Sequence, residues 1–169
     1  SRICRTASTS RWFAFSAVHE QPPAMSNAPV VRALVAFFEG LCPEAVARFP
    51  EYYASDAYFK DPFNEVRGLE PIQRIFAHMF SQLAEPRFVV LESVVAENGA
   101  LLVWELHYRR KTSSAQGPAR VIRGASHLRF DAQGKVVWHR DYWDAAEELY
   151  AGFPGIGWLL RVLKRKLAA

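Results

Sequence analysis

The chain has 169 residues, half of them apolar and 14% aromatic, which predicts one domain with a substantial core. A chain of this size buries roughly 68–70% of its unfolded surface, so no disulfide or metal staple is required; Cys4 and Cys42 make a poor disulfide framework, and the compartment reads as reducing. The net charge of +4 collects at the two ends instead of along a stripe, which argues against nucleic-acid binding, and the longest apolar runs, VVRALVAFFEGL and GALLVWELHY, fall short of the 18 or so residues of a membrane span.

Residues 1–24 are rich in Ser, Thr, Arg and Ala and nearly free of acids, and Met25 follows as a natural start. That composition suits an organelle transit peptide or upstream sequence that need not fold, so the expected domain is 25–150. The expected location is cytoplasmic, or an organelle if the leader is read as a transit signal. From residue 29, Val31, Leu34, Val35, Phe38 and Leu41 recur on one helix face. A short helix is expected over 43–53, with Pro43 in its first turn, then a short aromatic strand in AYFKDPF. LEPIQRIFAHMFSQLA, residues 69–84, places Ile72, Ile75, Phe76, Met79, Phe80 and Leu83 on one face, with Gly68 just before and Pro71 in the first turn.

The period then changes. RFVVLESVVAE, GALLVWELHYRRK, ARVIRGASHLRFD and KVVWHRDYW are rich in β-branched and aromatic residues and separated by turn signals at NG, 112–118 and DAQG, which predicts four antiparallel strands in a meander. Helices first and strands afterwards make an α+β domain with helices on one face of a curved sheet. Residues 151–169 break at GFPGIG and continue as a basic amphipathic helix with Ile156, Leu159, Leu160, Leu163 and Leu167 on one face. That face is expected to pack on the domain or on a twin subunit, the alternative being an anionic membrane surface met by residues 155–169.

Four strings, VVRALVAFF, DAYFKDPFNEVRGLEPIQRIF, ENGALLVWELHY and GASHLRFDAQGKVVWHRDYW, resemble in order and spacing the nuclear transport factor 2-like superfamily, which includes ketosteroid isomerase and the SnoaL polyketide cyclases. The resemblance covers residues 28–150 and implies a cone-shaped, curved mixed β-sheet wrapped around N-terminal helices, with an apolar pocket at one end for a small hydrophobic molecule. Isomerase, cyclase and dehydratase chemistries occur on this fold beside non-catalytic binding and interaction modules, so the fold leaves activity open. Homodimers through the outer sheet face are expected by the same resemblance.

Asp61 matches the general base of ketosteroid isomerase. If Asp61 faces the pocket, as the resemblance implies, so does Phe59 by strand alternation, and matching the later strings to the family puts Leu102, Trp104, Leu106 and Tyr108 inside, then Ser126, Leu128 and Phe130, then Val137, His139, Asp141 and Trp143. Glu105, His107, His127, Arg129, Trp138 and Arg140 fall outside. A carboxylate among Phe59, Trp104 and Trp143 is poorly solvated and suited to taking a proton from carbon beside a carbonyl; the competing reading of Asp61 is an ordinary turn residue before Pro62. The isomerase's oxyanion donors correspond here to Leu34 and Ser126, which argues against steroid isomerisation and leaves Ser126, His139, Tyr52 and Tyr53 as replacement donors. His139 and Asp141, two apart on one strand, form a second acid–base pair. Arg123 and Arg140 are candidates for the arginine of an epoxide-hydrolase constellation. The five histidines and two cysteines lack metal-ligand spacing and no phosphate loop follows a strand, so neither metal nor nucleotide cofactor is implied.

Overall fold

The structure is a computed structural model, and it describes residues 27–111, 117–150 and 155–167. The 1–24 leader, most of the 112–118 turn and most of the GFPGIG break lie outside the described residues. Helix α1 spans Ala28–Glu39 and buries Val31, Leu34, Phe37 and Phe38. Of the expected face, Val35 is half-buried, while Leu41 is buried beyond the helix end.

The segment expected as one helix over 43–53 is instead a 3-10 turn, Glu44–Arg48, followed by a single α-turn, α2, Phe49–Tyr52. Pro50 is the reason: it has no N–H to give Val46 and its ring crowds that carbonyl, so a continuous helix cannot pass through it. The Val46 carbonyl accepts from the Phe49 N–H and from Gln73 Nε2 (2.9 Å) instead.

Strand β1, Tyr53–Lys60, pairs with the short β2, Glu65–Arg67, across the turn at 61–64. Gly68 then adopts φ +98°, a conformation that suits only glycine, and starts α3, Leu69–Gln82, which buries Ile72 and Phe76. Strands β3 (Leu83–Ala96), β4 (Gly99–Arg110), β5 (Arg120–Phe130) and β6 (Val136–Trp143) form the predicted antiparallel meander. β1 joins β6 in parallel, giving the order β2-β1-β6-β5-β4-β3 and making the sheet mixed. It is curved and unclosed, as the cone architecture requires.

The helices pack on the inner face through rings. Phe38 of α1 meets Phe88 and His139 at 5.9 Å, and Phe76 of α3 meets Phe59 at 5.9 Å. Such tilted aromatic contacts contribute beyond their buried area, and Phe49, Phe59, Leu34, Ile72 and Leu128 are among the most buried side chains.

Strand alternation predicts the inner face correctly at Leu102, Trp104, Leu106, Tyr108, Ser126, Leu128 and His139, all buried. It fails at one position. Val136 is buried, whereas Val137, expected inside, is only half-buried. Arg129 pairs with Trp138 but Phe130 pairs with Val136, so a bulge absorbs Val137 and reverses the alternation at the start of β6.

After β6 come the one-turn α4, Ala145–Glu148, capped by Asp144, and α5, Ile156–Leu167. Lys164 of α5 pairs with Glu147 of α4 at 2.7 Å. Of the apolar face of α5 expected to pack, Leu160 is half-buried, while Ile156, Leu159, Leu163 and Leu167 are left exposed by the described residues. Among the described residues no helix is long and apolar enough to cross a membrane.

Candidate functional site

Between α3, the inner faces of β3 to β6 and the loop after β1 lies a cavity of about 560 Å³. That volume falls within the usual range for small-molecule sites. Phe59, Phe76, Phe88, Leu106, Trp104 and Trp143 supply apolar wall; Asp61, Asn64, Tyr108, Arg110 and Asp141 supply polar groups. A side hollow of about 20 Å³ adjoins it, bounded by Ser126, His139 and Asp141 with Phe38, Phe88 and Trp104.

Cross-strand register builds the polar end. Leu102, Ser126 and Asp141 stand in one row across β4, β5 and β6, while Trp104, Gly124 and Trp143 form the next. Glycine at 124 leaves room for the Trp104 indole: a Cβ there would lie 2.5 Å from its ring. The indole crosses that gap, and Trp104 Nε1–H donates to Ser126 Oγ at 2.8 Å. Ser126 Oγ donates in turn to Asp141 Oδ1 at 2.5 Å.

From the other side, His139 Nε2 lies 2.7 Å from Asp141 Oδ1, and its Nδ1 lies 2.6 Å from the Tyr53 hydroxyl. Burial, and then the Asp141 charge, push the Tyr53 hydroxyl well above its ordinary pKa. Tyr53 therefore stays protonated and can donate to Nδ1, while Nε2–H donates to the Asp141 carboxylate. Two donor chains, Trp104 to Ser126 and Tyr53 to His139, thus converge on one carboxylate oxygen. Oδ2 takes no part in these bonds.

Asp61 borders the same cavity next to this row, since its neighbour Lys60 is in register with Arg140. Its carboxylate is engaged locally: Oδ1 accepts from the Phe63 and Asn64 N–H groups at 2.7 and 2.6 Å, and Asn64 Nδ2 reaches both oxygens at 3.0 Å. Asp61 thus holds its own turn and is also one of the residues that line the cavity.

The remaining expected residues divide. Phe59, Trp104, Leu106, Tyr108 and Trp143 line the cavity, whereas Leu128 is wholly in the core and Phe130 packs half-buried against it, outside the lining. Tyr52 stacks on Phe37 at 4.2 Å and takes a bond from Arg48, away from the site. Arg123 pairs with Glu105 at 3.3 Å, and Arg140 sits over the Tyr142 ring at 4.7 Å. Neither arginine lines the cavity.

Sequence reasoning missed the α3 and β3 walls, Ile75, Met79 and Phe88, and the importance of the Tyr108 hydroxyl. That oxygen is buried and has no hydrogen-bond partner among the described residues, and Tyr108 is one of the residues that border the cavity. A buried hydroxyl left unpaired costs roughly 1–3 kcal/mol. Among the described residues no cluster of His, Cys, Asp or Glu could hold a metal ion.

A curved, unclosed mixed sheet with helices on its inner face is the cone of the nuclear transport factor 2-like, ketosteroid isomerase-like class of α+β proteins. Residues 31–139 match the SnoaL-like domain, and the chain belongs to that family. Similar solved structures agree in fold. One is a hypothetical protein with a ketosteroid isomerase-like fold from Catenulispora acidiphila, in complex with trimethylamine: 17% identity, 71% of this chain and 88% of that one, TM-score 0.58. Another is a candidate SnoaL-like polyketide cyclase from Jannaschia sp. CCS1: 16% identity, 89% and 99%, TM-score 0.61. A third is a nuclear transport factor 2-like protein of unknown function from Burkholderia pseudomallei: 17% identity, 72% and 92%, TM-score 0.60. No curated protein matches the sequence.

Proposed function

We propose that the protein binds an elongated hydrophobic molecule carrying at least one oxygen, and that Asp141 exchanges a proton with it. The carrying observation is the pairing, in one apolar cavity, of a carboxylate held by two donor chains with a buried hydroxyl that lacks a partner. Asp141 stands in the Leu102 row and Tyr108 lies six residues farther along β4, at most about 20 Å of extended strand. A ligand touching both is therefore long, and the aromatic walls favour a flat one.

Proton transfer falls to Asp141 in preference to Asp61 because of where the lone pairs go. Both oxygens of Asp61 serve the turn at 61–64, and this carboxylate holds the loop that forms one wall. On Asp141 both bonds end on Oδ1, leaving Oδ2 for the ligand. With Oδ2 as base, the C–H electron pair moves to an adjacent carbonyl to give a conjugated enolate, and the same proton returns at another carbon of that enolate, an isomerisation that needs no cofactor.

Asp141→Asn should lower turnover about 10²–10⁴-fold while ligand is still retained. Substrates would be found by mass spectrometry of molecules copurifying with the protein. Unchanged turnover in Asp141→Asn removes the assignment. A binding module without chemistry is the second reading, favoured by one fact: Ser126 and His139 already donate to Asp141, so they are not free to meet a developing oxyanion. Ligand retention without conversion would establish it.

A further inference from the structure

Helix α5 is 12 residues long, about 18 Å, too short to cross a bilayer. Ile156, Leu159, Leu163 and Leu167 recur at three- and four-residue steps and so share one side. They are 47%, 51%, 45% and 84% exposed, and Trp158 is 61% exposed. Isolated exposed leucines are ordinary, but a continuous stripe is a contact surface.

The charges select what covers it. The same 12 residues contain Arg161, Lys164, Arg165 and Lys166 and no acidic side chain. Lys164 pairs with Glu147 on α4, which ties the helix to the body. A second copy of α5 would bring the same four positive charges against these four. An anionic lipid surface brings the complement, and a helix with leucine on one side, basic residues on the other and tryptophan at exposed positions suits the bilayer interface, with long basic side chains reaching the headgroups.

We propose that α5 lies in the plane of an anionic bilayer surface and holds the protein there. The test is cosedimentation of the full chain with phosphatidylcholine vesicles, with and without about 30% phosphatidylserine, at low and high salt. The expected result is binding to the phosphatidylserine vesicles that falls at least about tenfold in their absence or at high salt. Leu159→Asp with Leu163→Asp, and separately Arg165→Glu with Lys166→Glu, should each reduce it by at least about tenfold. Circular dichroism and melting profiles like the parent's would show that the variants remain folded, as expected for exposed positions.

No binding to anionic vesicles, equal binding to neutral ones, or undiminished binding by either double variant overturns the proposal. A dimer in light scattering that the leucine variant splits, with no vesicle binding, would assign the face to a second copy instead.

Discussion

Tyr53 sets the protonation order of the site. Its folded-state pKa is raised above the ordinary 10.0 by burial and by Asp141. The folded protein therefore holds this proton more tightly than the unfolded chain. The resulting stability is fully present below about pH 10 and falls as pH rises from there toward the folded value. Tyr53→Phe should flatten that alkaline limb relative to the parent, as read by urea midpoints from pH 8 to 11. Parallel limbs would mean that Tyr53 is not held protonated by folding. Tyr108 makes the opposite kind of residue-scale prediction. Tyr108→Phe removes an unpaired hydroxyl and should leave stability unchanged or raised by about 1–2 kcal/mol. The same change should weaken an oxygen-bearing ligand by a comparable amount. A lower melting temperature with unchanged affinity would show that the hydroxyl serves the fold and not a ligand.

Strand pairing places these side chains, and Gly124 shows how finely. Any Cβ at 124 meets the Trp104 ring at 2.5 Å, and displacing that indole breaks its bond to Ser126. Gly124→Ala should cost about 1–3 kcal/mol in denaturant unfolding and loosen the Asp141 donor chain, reducing turnover as well. Stability equal to the parent would mean that β5 can shift without moving the site. Two misreadings of the sequence also belong to elements. The helix expected over 43–53 breaks because Pro50 removes a donor and crowds Val46, a conflict confined to one turn. The inward assignment of Val137 fails at a bulge, and a bulge leaves no compositional mark because it depends on how β5 meets β6.

For the molecule as a whole, the cavity predicts a linkage. A ligand that occupies about 560 Å³ in the folded protein and nothing in the unfolded chain should raise stability by about 2.7 kcal/mol at a hundredfold excess over Kd. That corresponds to a melting shift of about 5–10 °C for a domain of this size, measurable against a panel of hydrophobic ketones. A uniformly flat panel, with no copurifying molecule, would argue that the hollow is a packing void. The same cavity is why the fold's membership in the SnoaL-like family leaves the reaction open: the family's cone supplies a hollow, and the residues at its inner row supply the chemistry.

The order of helices and strands, the α+β class and most inward-facing positions, among them Phe59, Trp104, Tyr108 and His139, were legible in the linear chain. The elements follow from periodicity and turn chemistry, which act over a few neighbouring residues, and the inward positions from the family resemblance combined with strand alternation. Which inward groups touch was not legible. A one-residue slip between strands moves a side chain by about 3.3 Å and to the opposite face, more than a hydrogen bond tolerates. The convergence of Tyr53, His139, Ser126 and Trp104 on Asp141, the use of Asp61's oxygens by its own turn, and the solitary Tyr108 hydroxyl therefore arise from long-range register and from where α3 sits above the sheet.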